Sequence, residues 1–254
     1  MNDRSALPLI TPKIKPALDP SFRPAVLANR AFREASNGSG KAVPVGIALE
    51  QPDGNVSRFE TVILPDNHPD AAGNFPYIER ITKFLIWSRG GFRIHVDGPA
   101  SIAKGLEAHY RQSPTGKFDS DIVAGRMFDH PIEVVHTNTL PPERRGAASL
   151  GRHLEGCRIG FDLGGSDRKV AAVIDGEVVF SDETVWDPYF QPDPQYHYNG
   201  VMESLKKAAA HLPRVDAIGG SAAGVYVNNE VRVSSLFRDV LAAFTLLFLS
   251  KLWE

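Results

Sequence analysis

The chain has 254 residues, 43% hydrophobic and 23% charged, with a formal net charge of −2. That is enough chain to bury a sizeable core without staples, and nothing in the charge balance points to a surface built for nucleic acid. Its single cysteine, Cys157, excludes an internal disulfide and any multi-cysteine zinc site, which fits a reducing compartment and a cytoplasmic protein.

The first residues, "MNDRSALPLITPKIKPALDP", lack a continuous apolar run of signal-peptide length, and their prolines suggest an extended arm. "NGSGKA", 37–42, has alanine where a phosphate-binding P-loop needs its first glycine and its serine or threonine, and it reads as a flexible turn. "AVPVGIALEQ", 42–51, and "RFETVILP", 58–65, read as strands joined through the turn signal Pro52-Asp53-Gly54. In 75–91, Ile78, Ile81 and Leu85 recur at helical spacing, with Pro76 in the first turn and Gly90 as the stop. A strand over 92–99 follows, then a helix over 101–111 with Ser101 as N-cap. "FDSDIVAGRMFDHP", 118–131, holds several acids and reads as a solvated loop, and 131–138 is a further strand. The eight histidines are scattered without metal-ligand spacing. Proline, glycine and charge make 139–156 a connector and divide the chain near residue 150. The region 1–150 is α/β in pattern and carries no catalytic motif.

After the connector the order changes. Strands are expected over 158–163, 168–174 and 177–181, with Asp175-Gly176 as a two-residue hairpin turn. A proline-rich aromatic loop leads to an amphipathic helix over 199–213, where Val201, Leu205, Ala208 and Leu212 share a face. A strand at 215–221 and a hairpin turning at Asn228-Asn229 complete the pattern. Asp216 reads as a solvated strand end, Lys169 as a solvated strand residue and Ser221 as a turn residue. The apolar run from Val240 to Leu249 is too short to span a bilayer and reads as a buried or docking helix.

"GFDLGGSDRKVAAVIDGEVVFS", 160–181, places an aspartate and a glycine pair at the tip of a hairpin. Glycines there leave backbone N–H groups open to an oxyanion, and Ser166 adds a hydroxyl. Asp162 would repel a bare phosphate unless a hydrated Mg²⁺ stood between them.

This stretch resembles the first phosphate-binding motif of the actin-like ATPase superfamily. With "VDAIGGSAAGVYVNNEVRVSSLF" it is most similar to the ROK family of repressors, open reading frames and sugar kinases, over about 156–238. The resemblance implies a ribonuclease H-like half-domain of order strand-strand-strand-helix-strand. It implies ATP and Mg as cofactors, with phosphoryl transfer to a sugar. Asp162 would hold the waters of Mg²⁺, Gly164, Gly165 and Ser166 would cradle phosphates, and Gly224 would line the sugar pocket. Ala223 stands where the family has proline. The family's Asn-Asp pair and cysteine-rich zinc motif are missing. Only 92 residues follow Asp162, so a second half-domain does not fit and the chain reads as incomplete at its C-terminus. A non-catalytic nucleotide- or sugar-binding regulator is the alternative. A DNA-binding repressor fits less well, since strands stand where a helix-turn-helix is needed. The tail, 239–254, is the candidate contact for a homo-oligomer.

Overall fold

The computed structural model describes residues 7–146, 153–227 and 230–240. The chain divides into two compact units, Met1–Ala147 and Ala148–Glu254. Both are α/β.

The N-terminal unit runs α1 (Ala25–Gly38), β1 (Val43–Glu50), β2 (Val56–Ile63), α2 (Asn74–Arg89), β3 (Arg93–Asp97), α3 (Ala100–Gln112), α4 (Pro114–Asp119) and β4 (Glu133–Thr137). Its sheet has the order β2-β1-β3-β4, with β1 antiparallel to both neighbours and β3 parallel to β4. Alternate residues Val45, Ile47 and Leu49 of β1, with Ile94 and Val96 of β3, are buried together with Tyr77, Ile78, Leu85 and Leu106 from the helices. On the other face, Ala48 and Val56 pack with Leu140.

Helix α1 is absent from the sequence reading. Its buried residues Ala28, Phe32 and Ser36 follow an i, i+4, i+8 spacing, and only Phe32 among them is a large hydrophobe. Asn37 and Gly38 of "NGSGKA" end this helix instead of starting a turn. Ser101 does not cap α3, which begins at Ala100 after Pro99 with no side-chain cap. The expected solvated loop at 118–131 is helical. It contains the end of α4, capped by Ser113 Oγ accepting from Gly116 N at 2.9 Å, and a π-helical stretch, Ser120–Met127. Its first acid, Asp119, is fully buried, where it accepts from Lys83 Nζ at 2.7 and 2.8 Å and from Trp87 Nε1 at 2.9 Å. The start of the expected connector is also ordered, for Leu140 is buried and Arg144 bridges to Val56 of β2.

The C-terminal unit runs β5 (Cys157–Leu163), β6 (Asp167–Ile174), β7 (Glu177–Val185), α5 (Pro194–Ala209), β8 (Ala217–Ala222), β9 (Val225–Val227) and β10 (Glu230–Val233). Three strands, a helix and a strand follow one another in the expected order. The sheet order is β7-β6-β5-β8, with the first three antiparallel and β8 returning parallel to β5. A parallel return needs a crossover, and α5 supplies it. The turn between β6 and β7 is made by Asp175 at φ 49° and Gly176 at φ 88°, the left-handed pair of a type I′ hairpin. Helix α5 starts five residues before the predicted 199, because Pro194 suits a first turn and Asp193 caps it by accepting from Gln195 N at 2.9 Å.

One face of this sheet is covered. Ile159, Leu163, Val170 and Ala172 are buried with Val201, Leu205 and Ala208 of α5 and with Trp186, Leu236, Phe237 and Val240. Beyond Val240 the expected apolar helix, and with it the turn at Asn228-Asn229, lies outside the described residues. No helix among the described residues is long and apolar enough to cross a membrane.

Candidate anion site at the glycine turn

The site is assembled on the second face of the C-terminal sheet and at the ends of its central strands. Pairing aligns two rows of side chains across four strands. In one, Gly219, Gly160, Ala171 and Ser181 lie side by side. In the next, Ser221, Asp162, Lys169 and Glu183 do the same. Small residues in the first row and polar ones in the second form the floor and rim of an open concavity of about 650 Å³. A Cβ at Gly160 or Gly219 would meet nothing within 4 Å.

Asp162 is exposed at the end of β5 and accepts a short hydrogen bond from Ser221 Oγ. Ser221 therefore lies on a strand beside Asp162, not in a turn. The two are 59 residues apart, so no local pattern could have paired them. Lys169 Nζ is bound to Asp167 Oδ1, and Glu183 lies 4.0 Å away. The hydrogen bond from Lys169, then that from Ser166, holds the Asp167 carboxyl below its ordinary value. The same Asp167 bond raises Lys169. Lys169 is thus engaged at the turn instead of being merely solvated.

Gly164, Gly165 and Ser166 link β5 to β6. Gly164 N donates to Asp167 O at 2.9 Å, closing the turn. Trp186 clamps it from outside: its Nε1 donates to Gly164 O at 2.9 Å, and its backbone N donates to Ser166 O at 3.1 Å. The N–H groups of Gly165 and Ser166 donate to none of the described residues. Ser166 Oγ donates to Asp167 Oδ2 at 2.9 Å, so its one hydroxyl hydrogen is already used. The available donors are amides.

Local packing also accounts for both glycines. A Cβ at Gly164 would come to 3.0 Å from Asp167 O. One at Gly165 would come to 1.7 Å from the Tyr189 hydroxyl. Gly165 is needed for Tyr189 to sit where it does, independently of any ligand. Gly224 lies outside the concavity, between β8 and β9, at φ 144°, where a Cβ would stand 2.6 Å from Val233 O. That close approach within the hairpin is reason enough for a glycine.

Arg168, two residues past the turn, faces inward. Arg168 is 5% exposed and donates to Ser204 Oγ at 2.8 Å and to Glu203 Oε2, both on α5. It fixes the β6 end of the turn to the helix beneath. Asp216 is likewise structural. Its Oδ2 accepts from Cys157 N at 2.8 Å and its Oδ1 from Arg214 Nε at 2.7 Å, contacts that hold its carboxyl below the usual range.

Among the described residues no group of three or more His, Cys, Asp or Glu side chains could enclose a metal ion. One exposed carboxylate suits Mg²⁺, which keeps most of its waters and takes one or two carboxylates with substrate phosphates. Asp162 could hold such an ion, and Gly165 N and Ser166 N could receive phosphate oxygens.

Comparison with known proteins adds little. No protein-family profile and no curated protein matches the chain. Among solved structures, an exopolyphosphatase from Cytophaga hutchinsonii ATCC 33406 aligns at 11% identity and a TM-score of 0.21, over 68% of this chain and 61% of that one. This chain thus spans less than two thirds of that protein, and a superposition so loose carries no argument about fold or activity.

Proposed function

We propose that the C-terminal unit binds the phosphates of Mg·ATP at the 164–166 turn. In this reading it serves as the phosphate-binding half of an ATP-dependent phosphotransferase of the ROK sugar-kinase type. The observation that carries it is the pair of unengaged N–H groups at Gly165 and Ser166, beside an exposed Asp162. Donors of this kind act on a phosphate's charge without needing a covalent step. Asp162 orients the hydrated metal, with Ser221 fixing its carboxylate, and the concavity over Gly160 and Gly219 is the space for the rest of the ligand. The sugar acceptor and Gly224 as its contact rest on the resemblance alone.

The test is a calorimetric titration of Mg·ATP into the full chain and into Asp162→Asn. Binding by the parent, weakened at least tenfold in Asp162→Asn, supports the reading. A parent that does not bind overturns it. Gly165→Val is a poor probe, because it must displace Tyr189 whether or not a phosphate binds. A non-catalytic binder of the same ligand is separated by turnover: binding without phosphate ester formed from any sugar tested would favour it.

A further inference from the structure

The loop after β7 places Tyr189 against the glycine turn, and Arg238, from the segment that follows β10, lies over its ring. Tyr189 Oη lies in contact with Gly165. That hydroxyl makes no hydrogen bond among the described residues, and it fills the space a Cβ at Gly165 would take. The Arg238 guanidinium stands 4.8 Å from the centroid of the Tyr189 ring and 5.9 Å from that of Phe190. Arg238 is exposed and has no carboxylate partner among the described residues. Most other described cations of this unit are engaged: Arg158, Lys169, Lys207, Arg214 and Arg232 each have an acidic neighbour and Arg168 is bound to Glu203, whereas Lys206 on α5 has none among the described residues.

The mounting of the pair is rigid. His197 is fully buried, and its Nε2 meets Leu236 O at 2.9 Å and Pro188 O at 3.2 Å. Both partners are carbonyls, which only accept, so Nε2 carries the proton. One imidazole thus ties down the residue before Tyr189 and the segment two residues before Arg238. Ser234 Oγ holds the same segment from the other side by donating to Ala223 O.

Resting on the phosphate-binding reading above, we propose that Tyr189 and Arg238 form the second wall of the site. There the Arg238 guanidinium pairs with a phosphoryl group of the nucleotide, and the Tyr189 hydroxyl donates to the same group. The chemistry follows from charge. The β5–β6 side of the turn presents Asp162 and Asp167, and Lys169, its nearest cation, is committed to Asp167. The metal of the reading above answers Asp162 alone, and two amide donors hold the remaining phosphate charge better where a fixed cation of the chain faces them. A planar guanidinium stacked on an aromatic ring is suited to that role, since stacking leaves its N–H edge free for phosphate oxygens. The Tyr189 hydroxyl beside the glycine can turn its hydrogen toward a phosphate oxygen that reaches the turn.

The experiment compares Mg·ATP binding by the full chain with that of Arg238→Gln, Arg238→Lys and Tyr189→Phe, at two salt concentrations, with thermal melting of each variant. Arg238→Gln is expected to weaken binding tenfold or more and to flatten its salt dependence. Arg238→Lys should recover part of the affinity but not all, because the ammonium keeps the charge and loses the bidentate edge. Tyr189→Phe keeps the ring under Arg238 and should cost three- to fivefold. Equal affinity in parent and Arg238→Gln would overturn this inference and leave the phosphate reading standing. No binding by the parent would overturn both. Should Arg238→Gln melt well below the parent, Tyr189→Phe decides, and an unchanged affinity there counts against the second wall.

Discussion

The two units each build a four-stranded mixed sheet, yet they treat its second face differently. In the N-terminal unit the face opposite the helices is covered in the middle of β1, although a concavity of about 590 Å³ opens beside Gly46 and Leu140. Leu140 covers Ala48 and Val56, and a Cβ at Gly46 would come to 2.6 Å from Leu140 Cδ1. In the C-terminal unit the corresponding face carries the row Gly219, Gly160, Ala171 and Ser181 with open space above its glycines. A glycine in mid-strand therefore means two things in one chain. At Gly46 it admits a neighbour that is already there. At Gly160 and Gly219 it leaves a shallow floor beside Asp162. Covering a face stabilises a sheet, and leaving one bare makes room for a ligand.

The strongest way to sharpen the contrast is to unseal the covered unit. Leu140→Ala removes the apolar lid over β1 and is expected to cost about 2–3 kcal/mol, as buried leucine truncations do. Asp119→Ala should cost a similar amount, about 2–3 kcal/mol, because it strands the Trp87 N–H and an ammonium that donate to a buried carboxylate. Urea unfolding followed by a probe specific to the N-terminal unit measures both. A loss under 1 kcal/mol at Leu140 would mean that segment 139–146 does not seal the face in solution.

A smaller effect separates the glycines themselves. Gly46→Ala should destabilise by about 1 kcal/mol or more, through overpacking against Leu140. Gly160→Ala and Gly219→Ala should be neutral or stabilise by up to about 0.5 kcal/mol, since glycine in a strand is the costlier residue when nothing needs the room. Melting curves of the three variants read this directly. Destabilisation at Gly160 or Gly219 comparable to that at Gly46 would break the comparison, for it would mean that something covers this face in solution.

Much of the fold was legible because its signals are local. Apolar runs marked β5 and β6, Asp175-Gly176 marked the hairpin between β6 and β7, and the apolar stripe Val201, Leu205 and Ala208 marked α5. Where the reading failed, the deciding contacts were tertiary. Helix α1 buries only one large hydrophobe, so its period is faint. The acids of 118–131 suggested solvent, but Asp119 is paid for by Lys83 and Trp87, more than thirty residues away. The candidate site divides in the same way. Asp162 and the glycine turn stand out as a motif. Ser221, Tyr189 and Arg238 do not, because a serine on a distant strand, a tyrosine in a proline-rich loop and an arginine near the chain's end acquire meaning only when folding sets them around that turn.

The smallest predicted effect concerns charge on the N-terminal sheet. Glu50 of β1 accepts from His95 Nε2 at 2.8 Å, and Arg93 Nη1 lies 3.4 Å away on the same strand as His95. The hydrogen bond from His95, against a desolvation cost and with help from Arg93, lowers the Glu50 carboxyl below its ordinary value. A carboxyl lowered by folding binds fewer protons in the native state than in the unfolded one. Its contribution is therefore complete above the ordinary carboxylate range and is lost as pH falls through the lowered native value. Glu50→Gln should leave the N-terminal unit less stable near neutral pH and narrow the gap to the parent as the solution is acidified. Urea midpoints for both proteins from pH 7 down to pH 3 measure the gap. A gap that stays constant over that range would show that Glu50 stabilises by packing, with its charge contributing nothing.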